Sequence, residues 1–146
     1  MIYIEDLLPG IRENGLNTQE DVNLSGAVTV SGASAFGYGT GAGGAVTQAT
    51  NKTTGVTLNT VAGTITSAAD ELAAAAEATF TVTNSKVSIT DVIVLSIQSG
   101  GTSGEYLAHV TTVAAGSFDI TIANMSGSAA SDAVLINFAV IKSVAA

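Results

Sequence analysis

The chain has no cysteine and no tryptophan, one proline and one histidine, and four basic residues against twelve acidic ones. Without cysteine there are no disulfides and no thiolate metal sites. A single histidine cannot complete a transition-metal site from nitrogen and sulfur ligands. The redox compartment stays open, because a chain without cysteine suits any of them. A formal net charge of −8 at pH 7 would repel a phosphate backbone, which argues against nucleic acid as a partner. Only 11% of residues are charged, against roughly 25% in an average soluble domain. No run approaches the ~18–20 apolar residues that a membrane helix needs. The opening segment, MIYIEDLLPGIREN, has Glu5 and Asp6 where a secretory leader would be basic, and it lacks an apolar stretch of leader type. The expectation is a protein made in the cytoplasm, with no membrane partner.

What is present is small and apolar. The 146 residues are 47% hydrophobic and rich in Ala, Val, Thr, Ser and Gly. That length fits one domain with an extra arm and can bury a core without covalent staples. Few charges on an apolar chain point to a surface partly covered by other subunits.

Two regions differ in kind. Residues 1–34 hold five of the twelve acidic residues, the only arginine (Arg12) and the only proline (Pro9), which with Gly10 marks a turn. Ile2, Ile4, Leu7, Leu8, Ile11 and Leu16 are spaced too irregularly for one helix or one strand. This segment is read as an arm that orders against something else, with a short strand at Ala27–Val30. Residues 35–44 are read as a glycine-rich linker and 45–146 as a β body.

Within the body, GVTLNTVAGTITS alternates apolar residues with Thr and Asn. ATFTVTN places Phe80 and Val82 on one face and Thr79, Thr81 and Thr83 on the other. DVIVLSIQ is apolar on both faces, as a central strand should be. EYLAHVTTV and SFDITIAN flank Ala114–Ser117 as a hairpin, and DAVLINFAVIK is a nearly continuous apolar strand. SAADELAAAAEA, residues 67–78, has helix propensity and a Ser-x-x-Asp start, and reads either as a short helix or as an Ala-rich connection. Seven or eight strands at this spacing predict an all-β fold, a β-sandwich or jelly-roll-like body with an extended N-terminal arm.

Candidate chemistry is sparse. Gly39, Gly41 and Gly44 form a formal G-x-G-x-x-G, but Val, Thr and Asn follow where a phosphate-binding helix should start, and no acidic residue stands about twenty positions on. Lys52 follows Asn51 rather than glycine, so a P-loop fails as well. These glycines are expected to join parts. His109 falls within a strand, between Leu107 and Thr111, with no nucleophile or orienting carboxylate placed by sequence. Asp70 and Glu71 are adjacent and diverge, and Asp91, Glu105, Asp119 and Asp132 fall at strand ends or on polar faces. No EF-hand spacing occurs. Asn23, Asn51 and Asn124 stand in N-x-S/T sequons, which are expected to be chance occurrences in a chain rich in Asn, Ser and Thr. No catalytic residue, cofactor or metal is expected.

From GYGTGAGGAVTQATNKTTGV through ATFTVTNSKVSITDVIVLS to VAAGSFDITIANMSG and VLINFAVIKSVAA, the chain resembles a β-domain of tailed-bacteriophage structural proteins that decorate capsids or form head and tail fibres. The resemblance covers residues 37–146. It implies a non-enzymatic virion component, often a homotrimer, whose terminal segment anchors it. The expected partners are further copies of itself and the major capsid protein, and the expected location is the outer capsid surface, after synthesis in the host cytoplasm. In that picture Ile2, Ile4, Leu7, Leu8, Ile11 and Leu16 bury against the capsid, while Glu5, Asp6 and Arg12 fix register. Two alternatives stand beside capsid decoration. One is a fibre or receptor-binding module using loops 98–104 and 124–132 on a host glycan or protein. The other is a hydrolase drawing on carboxylates such as Glu77 and Asp119.

Overall fold

Alternation of apolar and hydroxyl side chains sets the strands. The computed structural model describes residues 36–144; the N-terminal arm expected over residues 1–34, with its strand at 27–30, lies outside them. Eight strands follow: β1 (Gly43–Thr47), β2 (Val56–Thr57), β3 (Ala62–Thr66), β4 (Glu77–Thr83), β5 (Val92–Ser99), β6 (Tyr106–Ala114), β7 (Ser117–Asn124) and β8 (Leu135–Ile141). They form two four-stranded sheets: sheet A in the order β1-β3-β8-β5 and sheet B in the order β2-β4-β7-β6. The body is all-β and built as a sandwich. β1 runs parallel to β3 and β2 to β4, while every other pairing is antiparallel.

The core lies between the sheets. β4 turns Ala78, Phe80 and Val82 inward and Thr79, Thr81 and Thr83 outward, as the alternation predicts. Ile65, Val82, Ile120, Ile122, Val134, Ile136 and Val140 are fully buried. The Phe118 and Phe138 rings meet across the layers at 5.4 Å, tilted by 55°, a favourable aromatic geometry. Gly63 makes this fit: a Cβ there would sit 2.8 Å from the Gly44 carbonyl oxygen and 2.9 Å from the Phe138 ring.

Four expectations are refined by the fold. The alternating stretch 55–67 is two strands in different sheets, because the chain crosses from sheet B to sheet A between Leu58 and Val61. Residues 67–78 contain no helix. Leu72 instead exchanges backbone hydrogen bonds with Ala130 at 2.8 and 3.0 Å and is buried in the core, so tertiary packing overrides the local propensity. β1 begins at Gly43, so the last two residues of the expected linker are strand. The run 92–99, read as a central strand, pairs only with β8 among the described residues, and so lies at the end of sheet A's described strand order. The hairpin is as expected, with Gly116 at φ +84° in the two-residue turn between β6 and β7.

Candidate interaction surfaces

The two outer faces of the sandwich differ in chemistry. On sheet B the outward side chains are Thr79, Thr81 and Thr83 of β4 with Asp119 and Thr121 of β7, and Glu77, His109, Thr111 and Thr112 stand around them. Thr79 and Thr121 hydroxyls lie 2.7 Å apart, and Thr81 donates to Asp119 Oδ1 at 2.7 Å. This face is a hydroxyl lattice with charged members.

Among the described residues, the outer face of sheet A holds no ionisable side chain. Register places Val92 beside Ile141, Val94 beside Ala139 and Ala62, and Ser96 beside Asn137 and Thr64, with Gly43, Ala45 and Thr47 on β1 completing it. Val92, Val94 and Ile141 are each about half exposed, and Ile89 in the preceding turn is 70% exposed. Apolar residues thus gather where β5 begins and β8 ends. Tyr38 hydrogen-bonds through its hydroxyl to the Val140 carbonyl, so the segment leading into β1 is fastened at this same end.

At the opposite end, loops 98–104 and 124–132 meet. Tyr106, buried at the start of β6, donates to Asp132 Oδ2 at 3.3 Å and accepts the Asp132 N–H at 3.4 Å. Met125 N–H donates to the Glu105 carbonyl at 2.7 Å. Burial raises the Tyr106 pKa above its ordinary value of 10.0; the Asp132 N–H opposes this and the Asp132 and Glu105 charges add to it, so the phenol stays a neutral donor at physiological pH. Asn124 organises the second loop. Its Nδ2 donates to the carbonyls of Leu72, Ala73 and Ser128 at 2.8–3.2 Å, and its Oδ1 accepts the Ser126 N–H at 2.9 Å. Beside Tyr106 lies an open recess of about 420 Å³ lined by Ile97, Gly100, Gly101, Thr102 and Ser103.

Polar residues without local sequence signals fasten the body. Lys52 is 1% exposed; its Nζ donates to the Ala68 and Asp70 carbonyls at 2.8 and 2.5 Å and stands 3.5 Å from Asp70 Oδ1. Gln48 beside it donates to the Lys52 and Thr54 carbonyls and accepts the Ala68 N–H. Among the described residues every buried side-chain N or O atom has a hydrogen-bond partner, which leaves no orphan group aimed at a ligand.

The other candidates disperse. Gly39, Gly41 and Gly44 lead through a turn into β1, not into a helix. His109 is exposed opposite Thr121. Glu77 pairs with Ala123, four residues from Asp119 along β7, about 13 Å at strand rise, wider than the roughly 5–9.5 Å of a glycosidase carboxylate pair. Asp70 is engaged by Lys52 and Asp91 by Lys142, while Glu71 is exposed. Asn124 of the third sequon is buried; Asn51 caps its own turn by accepting from Thr53 and Thr54. Among the described residues no three His, Cys, Asp or Glu side chains are grouped to hold a metal. The arm residues Ile2, Ile4, Glu5, Asp6, Leu7, Leu8, Ile11, Arg12 and Leu16 lie outside the described residues. Comparison with protein-family models, with curated proteins and with solved structures finds no match to this chain.

Proposed function

We propose that the protein is a structural virion component that decorates the outer surface of a bacteriophage capsid as an oligomer and stabilises the shell. The observation that carries this reading is the outer face of sheet A. In a chain of net charge −8, the described residues of that face present only apolar and uncharged side chains, with exposed valines and isoleucines at the end where Tyr38 is fastened. Such a surface favours contact with protein over solvation. An anchoring arm on each copy would multiply weak attachments, and linked attachment raises avidity without any single strong contact. The test is copy number, measured by quantitative mass spectrometry of gradient-purified particles. Hundreds of copies in simple ratio to the major capsid protein are expected; absence from particles refutes the reading.

A second reading, a fibre or receptor-binding module, draws on the meeting of loops 98–104 and 124–132 around Tyr106 and Asp132. A few to a few dozen copies per particle, with selective binding of the protein to host cells, would favour it. The recess offers hydroxyls, backbone amides and one tyrosine, so its best ligand would be polar and uncharged.

A further inference from the structure

The sequence of β5 is that of a covered strand, yet among the described residues β5 lies at an edge. Val92–Ser99 contains no charge and no proline. Edge strands of monomeric proteins normally carry lysine, proline, an inward charge or a bulge that stops another strand from adding. β5 has none of these before the irregularity between Ile97 and Ser99. The other edges are defended: β6 by a register shift in its middle, between Val110 and Thr112, and β1 and β2 by their shortness, five and two residues.

The groups of β5 that no described strand pairs can be assigned. Val140 donates its N–H to the Val61 carbonyl, on the β3 side of β8. Alternation along an antiparallel strand then turns Asn137, Ala139 and Ile141 toward β5, opposite Ser96, Val94 and Val92. The N–H and C=O groups of Ile93, Leu95 and Ile97 therefore point away from β8, on the side where no described strand pairs with them. The side chains of Leu95 and Ile97 are only partly buried, as are Val110 and Val113 of the neighbouring β6, so an apolar seam runs along this side of the sandwich. β5 and β6 together contain no Asp, Glu, Lys or Arg. Two copies of so acidic a chain repel wherever their carboxylates meet, and this side is free of them.

We propose that a second copy of this chain pairs with β5, antiparallel and about a twofold axis, joining the two A sheets into one continuous sheet. A register centred on Leu95 sets Leu95 against its own copy and Ile93 against Ile97 of the other. Every outward N–H and C=O of those three residues then has a partner, and the pairing ends before the irregularity at Ser99. Centring on Val94 instead would leave Ile97 unpaired. Identical antiparallel edges close at two copies, which separates this geometry from the threefold association that the resemblance implies. The pairing does not depend on a capsid role.

The test uses the full chain, with light scattering after size exclusion from micromolar to near-millimolar concentration and residue-resolved amide exchange. The mass rises to twice that of one chain, and the amides of Ile93, Leu95 and Ile97 slow by about tenfold or more as the pair forms. Val94→Lys, at a half-exposed position, keeps its circular dichroism spectrum, returns to the mass of one chain and loses that protection. Leu107→Lys, on the outer face of β6, leaves the pair intact. A single-chain mass throughout, a three-chain mass, open-ended aggregation, or a pair whose β5 amides exchange as fast as in the monomer would each overturn the proposal.

Discussion

Lys142 closes over Asp91: its Nζ lies 2.6 Å from Asp91 Oδ2 and 2.6 Å from the Lys86 carbonyl oxygen, so one ammonium ties the end of β8 to the turn between β4 and β5. The carboxylate is 1% exposed and the lysine 59%. Ser88 N–H donates to the same carboxylate oxygen at 2.8 Å.

That clasp makes stability depend on acid. The Lys142 hydrogen bond first, and the Ser88 N–H next, hold the Asp91 pKa below its ordinary value of 3.8. A carboxylate with a lower pKa in the folded state stabilises the fold above its unfolded value, and the contribution fades as pH falls through the folded one. The melting temperature is expected to be insensitive to this group down to about pH 5 and to fall below that. Asp91→Asn should melt lower at neutral pH and decline less steeply in acid. Parallel melting curves for the two proteins across the acid range would contradict this.

Lys52 gives a test of the other buried charge. Lys52→Met keeps the length of the side chain but leaves the Ala68 and Asp70 carbonyls without their donor. A loss of about 3 kcal/mol is expected, read as a lower urea midpoint with unchanged slope. A midpoint equal to that of the parent protein would show that water takes over both carbonyls.

Two glycines of one loop should respond unequally to alanine. Gly100 sits at φ +106°, and a Cβ there would lie 2.3 Å from the Ala133 carbonyl oxygen. Gly104 sits at φ +82° with nothing within 4 Å of that position. Gly100→Ala should cost about 3 kcal/mol and Gly104→Ala about 1 kcal/mol. Equal losses in thermal or chemical denaturation would mean that backbone conformation alone, not the close approach, decides.

The arm is tested by removing it. Deletion of residues 1–22 takes away Ile2, Ile4, Leu7, Leu8, Ile11 and Leu16 together with Glu5, Asp6 and Arg12. The expected product melts like the full chain and no longer co-sediments with capsids. Retained co-sedimentation would refute an anchoring role for this segment.

What could be read from the sequence was the burial of faces. Phe80 and Val82 against their threonines announced β4, and Ala115–Gly116 announced the hairpin, because side-chain alternation and turn chemistry are local. Edges were not legible. Val92–Ser99 reads as interior because its side chains are apolar on both faces, while hydrogen-bond pairing leaves no mark on composition. The helix propensity of 67–78 yielded to Leu72 packing and to the Lys52–Asp70 contact, both made with distant residues. Lys52 itself gave no local cue, since its burial depends on carbonyls 16 and 18 positions away. The loops around Tyr106 were named from their composition. That they meet, through Tyr106 with Asp132 and Met125 with Glu105, follows from β6 and β7 being neighbours.

The strand order also governs how the chain is made. β8, last of the eight strands to leave a ribosome, is the one that stands between β3 and β5. Until it arrives, β3 and β5 have no common partner, and Val92, Ile93, Val94 and Leu95 are left as an apolar ribbon in water. Sheet B can assemble once β7 has emerged, whereas sheet A waits for β8. On the ribosome, therefore, the pairing that covers one side of β5 cannot form before residues 135–141 follow, and delay at that point would favour aggregation along this strand.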